Sequence, residues 1–313
     1  CVFTSIPPGM ISGAYRRKTP AAPVHRRQLR GDREMAIVLR KMRASDISGG
    51  LMLSQQMGWP HRREDWLCAF TLGEGIVAEV EGELCGTTLC WRWGQHHATI
   101  GLVLVAKQLQ GKGLGKKLFA AQLERLGSRT IQLYATPAGE PLYRKFGFRP
   151  AGFLQQWHAH ALPAVASSGI GISAATVADI SQLALLDGKA WGAKRECLIR
   201  WLLANAHLAV IRNSQEQICA WAACRRMGRG YVIGPVVASR SDHAQALCAS
   251  FLTTLAGEFV RLDCPEGQHE SFTHWLGQNG FTLADRPLAM VKGGICRHSY
   301  DVRLFSLMSQ AMG

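Results

Sequence analysis

The residues best suited to chemistry in this chain are Gln110-Gly111-Lys112-Gly113-Leu114-Gly115. Three glycines in six residues let the backbone turn tightly, with amide N–H groups converging on one point. A helix that starts here adds unpaired N–H groups and the positive end of its dipole. Lys112, Lys116 and Lys117 add full charges. Such a loop receives a phosphate or pyrophosphate, which points to a nucleotide-bearing ligand. Two commoner phosphate motifs do not fit. No Lys-Ser or Lys-Thr follows a second glycine at P-loop spacing, and Leu118 stands where a dinucleotide-binding fold needs its third glycine. Taken alone, the loop is equally compatible with an ordinary strand-to-helix turn.

The elements that must hold this loop are legible on both sides. Thr99 to Val105 is an apolar, strand-like run, and Leu114, Leu118, Ala121 and Leu126 form one stripe of a helix over 114–126. Downstream, Ile131 to Pro137 is a second strand-like run. It leads into Ala138-Gly139-Glu140-Pro141-Leu142-Tyr143-Arg144-Lys145-Phe146-Gly147-Phe148.

With these two segments the chain resembles the GNAT acetyltransferase superfamily. Gln110, Gly113 and Gly115 meet its Gln/Arg-x-x-Gly-x-Gly/Ala signature, and Leu142, Tyr143, Gly147 and Phe148 meet its later Leu-Tyr-x-x-x-Gly-Phe segment. The resemblance covers roughly residues 36–157. It implies acetyl-CoA as acyl donor, held by Gln110, Gly111, Lys112, Gly113, Leu114, Gly115 and Lys116. The backbone of Val103, Leu104 and Val105 would pair with the pantetheine arm, one amide facing the thioester oxygen. Tyr143 falls at the family's general-acid position, and a phenol is a reasonable proton source for a departing thiolate. Tyr134 is the rival. The general base is not identified: His61, Glu64, Asp65, His96 and His97 are candidates, each better explained as a surface residue or helix cap, and a water relay would serve as well. Asp263 is a further possible acceptor contact. The tryptophans, among them Trp59, Trp66, Trp91, Trp93, Trp191 and Trp221, are expected mostly in the core, with a few lining an acceptor pocket.

At 313 residues the chain has room for two domains. No apolar run approaches the length of a membrane-spanning helix. The ten cysteines are scattered without Cys-x-x-Cys spacing, which suits reduced, buried thiols in a cytoplasmic protein, and no metal site is expected. The net charge of +14 is uneven. Arg16, Arg17, Lys18, Arg26, Arg27, Arg30 and Arg33 crowd residues 1–34, which read as a disordered basic tail or a non-native segment upstream of Met35.

The order of elements from residue 36 reads β-α-α-β-β-β-α-β-α-β, as the resemblance implies. A catalytic domain is expected over 35–160, a linker over 161–169, and a second domain over 170–313. The second half echoes the first. Tyr231 to Ala238 echoes Ile100 to Ala106, a helix follows from about Ala244 to Phe259, Val260 to Asp263 echoes Ile131 to Tyr134, and Phe272 to Phe281 echoes the segment ending Gly147-Phe148. Ser239-Arg240-Ser241-Asp242-His243 replaces the glycine loop, and Asp242 would repel a pyrophosphate. The expected fold is therefore α/β with a mixed α+β sheet, two GNAT-like acyl-CoA N-acyltransferase domains in tandem, the second degenerate.

The resulting expectation is an acetyl-CoA-dependent N-acetyltransferase acting on a small amine or amino acid, as a monomer or homodimer, without membrane partners. A non-catalytic acyl-CoA-binding sensor is the alternative. Nucleic-acid association through the tail is a less favoured third reading.

Overall fold

Hydrophobic patterning over the first half sets the order of elements. The computed structural model describes residues 36–160, 169–267, 269–294, 299 and 301–313. The basic tail at 1–34 and positions 161–168 of the expected linker lie outside the described residues. Residues 36–313 cluster as one compact unit.

The first half runs β1 (Ile37–Lys41), α1 (Ile47–Gln56), α2 (Arg63–Leu72), β2 (Glu74–Val80), β3 (Glu83–Trp93), β4 (His97–Val105), α3 (Leu114–Leu126), β5 (Thr130–Ala135), α4 (Glu140–Lys145) and β6 (Arg149–Ala159). The second runs β7 (Ser173–Ala174), α5 (Ile180–Trp191), α6 (Glu196–Asn205), β8 (His207–Arg212), β9 (Ile218–Met227), β10 (Gly230–Ala238), α7 (Ser241–Leu252), β11 (Val260–Pro265), α8 (Glu270–Gln278), β12 (Thr282–Asp285), β13 (Leu288–Lys292) and β14 (Arg303–Ser306). From α5 to α8 the second half repeats the order that α1 to α4 set in the first.

Local chemistry explains the boundaries. α2 starts later than the Gly58-Trp59-Pro60 turn suggests, because the Asp65 carboxylate accepts the Arg62 amide at 2.9 Å and caps the helix there. α7 ends at Leu252, short of the expected 259. The Thr253 and Thr254 hydroxyls donate back to the carbonyls of Ser250 and Phe251 at 2.7 and 2.8 Å. α3 buries Leu114, Leu118, Phe119, Gln122, Leu123 and Leu126, and glycines at positive φ flank it, Gly113 at 81° and Gly127 at 62°.

The strands lie in the order β1-β2-β3-β4-β5-β13-β6-β11-β10-β9-β8-β7, with β12 on β6 and β14 on β10. The halves exchange strands. β13, from late in the chain, pairs antiparallel with β5 from Leu288↔Ala135 to Lys292↔Ile131. β6 in turn pairs with β11 from Val260↔Ala159 to Pro265↔Leu154. The largest apolar core also spans both halves, joining Trp66, Trp91 and Trp93 to Trp191, Leu198, Trp221 and Met308. Each such side chain contributes roughly 1.5–3 kcal/mol on burial, so the junction is held as firmly as a domain interior. Arg195 and Asp187 form a fully buried ion pair at 2.7 Å inside it, the guanidinium stacked over Trp191.

Candidate active site at the strand opening

β4 and β5 pair in parallel only at His97↔Thr130, Ala98↔Ile131 and Thr99↔Gln132. Beyond that point β4 continues to Val105 and β5 to Ala135 with no ladder between them, so the sheet opens into a V. The other edge of β4 remains on β3, with Leu89↔Gly101 and Thr87↔Leu104. Between those pairs β4 carries one more residue than β3, which makes a β-bulge. Leu102 sits in it at φ 52°, and the Thr87 hydroxyl donates to its carbonyl at 2.8 Å. A bulky residue at positive φ is strained, and such strain gathers at functional positions. Sequence alone gave no sign of this bulge. Val103, Leu104 and Val105 follow it along the opened edge.

The glycine loop closes the wide end of the V. Gly111 and Gly113 adopt φ 75° and 81°, and a Cβ on either would meet no atom within 4 Å, so conformation rather than space requires glycine there. Gln110 pins the loop by donating from Nε2 to the Val105 carbonyl at 3.0 Å. The first helical bond of α3 runs from the Lys117 amide to the Gly113 carbonyl at 3.1 Å. The amides of Leu114, Gly115 and Lys116 precede it and have no partner within the helix. Lys112, Lys116 and Lys117 are exposed around them. Together these groups form an anion cradle at the mouth of an unpaired strand edge, which fits a long ligand with a diphosphate at one end.

Tyr143 stands on α4 with its ring against Phe119, centroids 4.9 Å apart, in the aromatic cluster behind the V. Burial pushes its phenol up to about 12. Tyr134, on β5, accepts a hydrogen bond from Gln132 Nε2 at 3.0 Å and lines a pocket that Tyr143 does not.

That pocket, of about 260 Å³, lies between the halves where the V has begun to open, just beyond the last β4–β5 pair. Ile100, Gly101 and Leu102 of β4 form one wall. Trp59, His61, Asp65 and Trp66 form another, so two of the tryptophans do line a cavity, while Trp91, Trp93, Trp191 and Trp221 are core. The second half supplies Arg225, Met227, Gly228 and Arg261 from β9, the turn after it, and β11. Residues 309–312 close the cavity, with Ala311 lying so near Gly101 that a Cβ there would sit 2.6 Å from that of Ala311. The sequence reading missed Arg225 and this final segment. Contacts so far apart along the chain leave no local pattern.

The base candidates separate clearly. His61 faces the pocket, is edge-on to Trp59 and Trp66, and has an unpartnered buried Nδ1. Burial holds its pKa below the usual histidine value, so it is neutral at pH 7. Asp65 is committed to structure: it accepts from Arg62 and from the Gly228 amide, and these hydrogen bonds hold its carboxyl low against the opposing effect of burial. Glu64 is exposed beside Arg62. His96 and His97 lie at the closed end of the V, away from the pocket, His97 edge-on to Trp191. Asp263 does not line the pocket, contrary to the expectation that it contacts the acceptor. It is fully buried, bonded to Arg261 at 2.7 Å, and its main chain is tied to Ser306 and Leu307. No cluster of potential metal ligands occurs among the described residues.

The equivalent opening in the second half is filled by the chain itself. β10 and β11 pair only at Tyr231↔Val260 and Val232↔Arg261 before they part. β14 then lies along β10, with Val236↔Ser306 and Ala238↔Arg303. Ser306 Oγ donates to the Ile233 carbonyl at 2.8 Å and accepts the Asp263 amide at 3.1 Å, joining both sides of the gap. At the start of α7, Arg240 pairs with Asp242, and that bond holds the Asp242 carboxyl at about 2. An Arg240–Asp242 ion pair thus stands where the first half has its glycine loop.

Comparison with known proteins agrees with this architecture. The acetyltransferase (GNAT) domain family matches twice, at residues 72–150 and 183–306, together well over half of the chain. The uncharacterized N-acetyltransferase YitH of Bacillus subtilis is 28% identical over 280 residues, covering 87% of this chain and 97% of its own. A crystal structure from Pyrococcus horikoshii, assigned as an acetyltransferase, superposes with a TM-score of 0.75 at 20% identity, covering 88% of this chain and 96% of that one. A tandem GNAT protein from the clavulanic acid biosynthesis pathway superposes at 0.59 with 13% identity, covering 82% and 98%. These two share the fold. The chain belongs to the GNAT acetyltransferase family, as an acyltransferase with two GNAT domains in tandem.

Proposed function

We propose that the first half transfers an acetyl group from acetyl-CoA to the amine of a small molecule bound in the pocket between the halves. The observation that carries this reading is the V between β4 and β5, open and flanked by the glycine cradle, against its filled counterpart in the second half. Acetyl-CoA would supply an activated thioester carbonyl. Backbone amides of the loop and of the α3 start would hold its diphosphate, and the free edge of Val103 to Val105 would pair with its pantetheine arm. An amide displaced by the Leu102 bulge would face the carbonyl oxygen as negative charge develops there.

His61 is the group best suited to take the proton from the attacking amine, being neutral and unpartnered in the pocket wall. Tyr143 would give a proton to the leaving thiolate. The phenol is protonated at neutral pH, and the more so for its burial, so it has a proton to give. Tyr134 merits a second reading for that step, because it lines the acceptor pocket.

The pocket volume falls just below the ~300–1,000 Å³ of typical ligand sites, which suits a metabolite rather than a macromolecule. No described helix is long and apolar enough to cross a membrane. The eight described cysteines are free, six of them buried, in keeping with a cytoplasmic setting. The test is a screen of small amines with acetyl-CoA, following release of free coenzyme A thiol and acetylated product. Turnover of at least one amine is expected. Tight acetyl-CoA binding with no product from any amine would replace this reading with the sensor.

A further inference from the structure

The acceptor pocket contains more hydrogen-bond donors than the protein satisfies. Arg225 Nε, Gln310 Nε2 and His158 Nε2 are buried nitrogens without partners, and all three residues line the cavity. An arginine Nε and an amide Nε2 are donors in every protonation state. Leaving such groups unmet costs about 1–3 kcal/mol each, so an orphan set in one cavity marks where a ligand supplies acceptors.

Arg225 is the decisive member. It is 5% exposed, and its other nitrogens reach backbone oxygens, Nη1 that of Arg226 at 3.4 Å and Nη2 that of Met308 at 3.2 Å. Among the described residues, Asp65 is its sole carboxylate within ion-pair range, at a long 3.9 Å. Asp65 is already held by Arg62 and by two backbone amides. The Arg225 charge is therefore buried with little compensation, an arrangement that persists only where a counter-charge arrives. Arg261 also lines the cavity but is paired with Asp263, and Asp285 lies on the same lining, so the uncompensated charge is that of Arg225. Burial and the Arg261 guanidinium hold His158 below the usual histidine range.

We infer that the acceptor is an amino-carboxylate: its carboxylate oxygens take hydrogen bonds from Arg225 Nε, Gln310 and His158, while its amine points toward β4 and His61. This rests on the acyl-acceptor reading of the pocket and names the substrate class within it. A guanidinium reads a planar carboxylate through directed N–H bonds, which a simple amine cannot return. A plain amine would leave the orphan donors unmet.

The test uses the full chain and matched pairs: amino acids and the amines obtained by removing their carboxylate, such as lysine and cadaverine, or tyrosine and tyramine. Binding is measured by calorimetry with coenzyme A present, and turnover by product formation. At least one amino acid is expected to bind and to exceed its decarboxylated partner by about 100-fold or more, since a site built to hydrogen-bond a group rejects the analogue lacking it by even larger factors. Arg225→Gln should abolish that preference while leaving the affinity for coenzyme A unchanged. Because Arg225 is buried, Gln310→Leu, in the segment that closes the cavity, serves as a second variant and should cut the preference about tenfold, with thermal unfolding confirming that each variant is folded. Equal or better binding of the amines, or no binding of any amino acid, overturns the inference. Carboxylate-selective binding without turnover would uphold it while removing the transferase reading, so the two failures are distinguishable.

Discussion

Leu307 donates its amide to the carbonyl of Asp263 at 2.8 Å. This bond fastens the end of β14 to β11, inside the gap that in the first half remains open between β4 and β5. The two halves thus share one architecture but not one occupancy. Where the first has a free strand edge and a glycine cradle, the second has its own late strand and a carboxylate.

One acetyl-CoA should bind per chain. Calorimetric titration should give a stoichiometry of one, and two sites would show that β14 vacates its place. A Cβ on Gly234 would lie 1.9 Å from the Leu307 carbonyl oxygen. Gly234→Ala should therefore destabilise the protein by about 1–3 kcal/mol, the usual cost of overpacking, as read by urea unfolding.

Gly113 adopts φ 81° with nothing within 4 Å of a built Cβ. Gly113→Ala then meets only the conformational penalty, about 1–2 kcal/mol for a left-handed residue. The KM for acetyl-CoA should rise about tenfold, the same energy expressed in binding, with kcat little changed. A normal KM would remove the loop from the donor site.

The roles of the two tyrosines separate in steady-state kinetics. Tyr143→Phe should lower kcat by ~10²–10⁴, the range for a lost acid, and leave the KM for acetyl-CoA near its starting value. Tyr134→Phe should act mainly on the KM for the amine. The opposite split would transfer the proton-donating role to Tyr134.

His269 links pH to the packing of β14. It lies stacked on Phe305, its ring Nε2 is 3.0 Å from the Leu304 carbonyl, and burial lowers its pKa to about 4. Above pH 6.5 it is neutral in both folded and unfolded chains and has no effect. As the pH falls from about 6.5 towards 4, the unfolded chain gains a proton that the folded one refuses, and stability drops. The shift corresponds to about 3 kcal/mol across that window. His269→Asn should flatten this part of the pH profile of urea unfolding. A profile identical to that of the unaltered protein would show that His269 titrates normally.

The sequence by itself determined the glycine loop, the Tyr143 segment and the repeat of elements, because each is written in consecutive residues. Glycines at 111 and 113 are a local demand for positive φ, and the stripe on α3 is a local demand for helix. Asp242 in place of a glycine likewise announced that the second half had lost its cradle. Other features were decided by tertiary structure alone. Strand pairing is a relation between distant residues, so neither the exchange of β13 and β6 nor the placing of β14 between β10 and β11 leaves a mark in any short window. The same holds for the bulge at Leu102, which depends on the register with Thr87 and Leu89, and for the pocket. Arg225 reads as an ordinary strand arginine until folding carries it beside His61 and residues 309–312, where burial without a matching carboxylate turns a surface-type residue into a receptor for a negative charge.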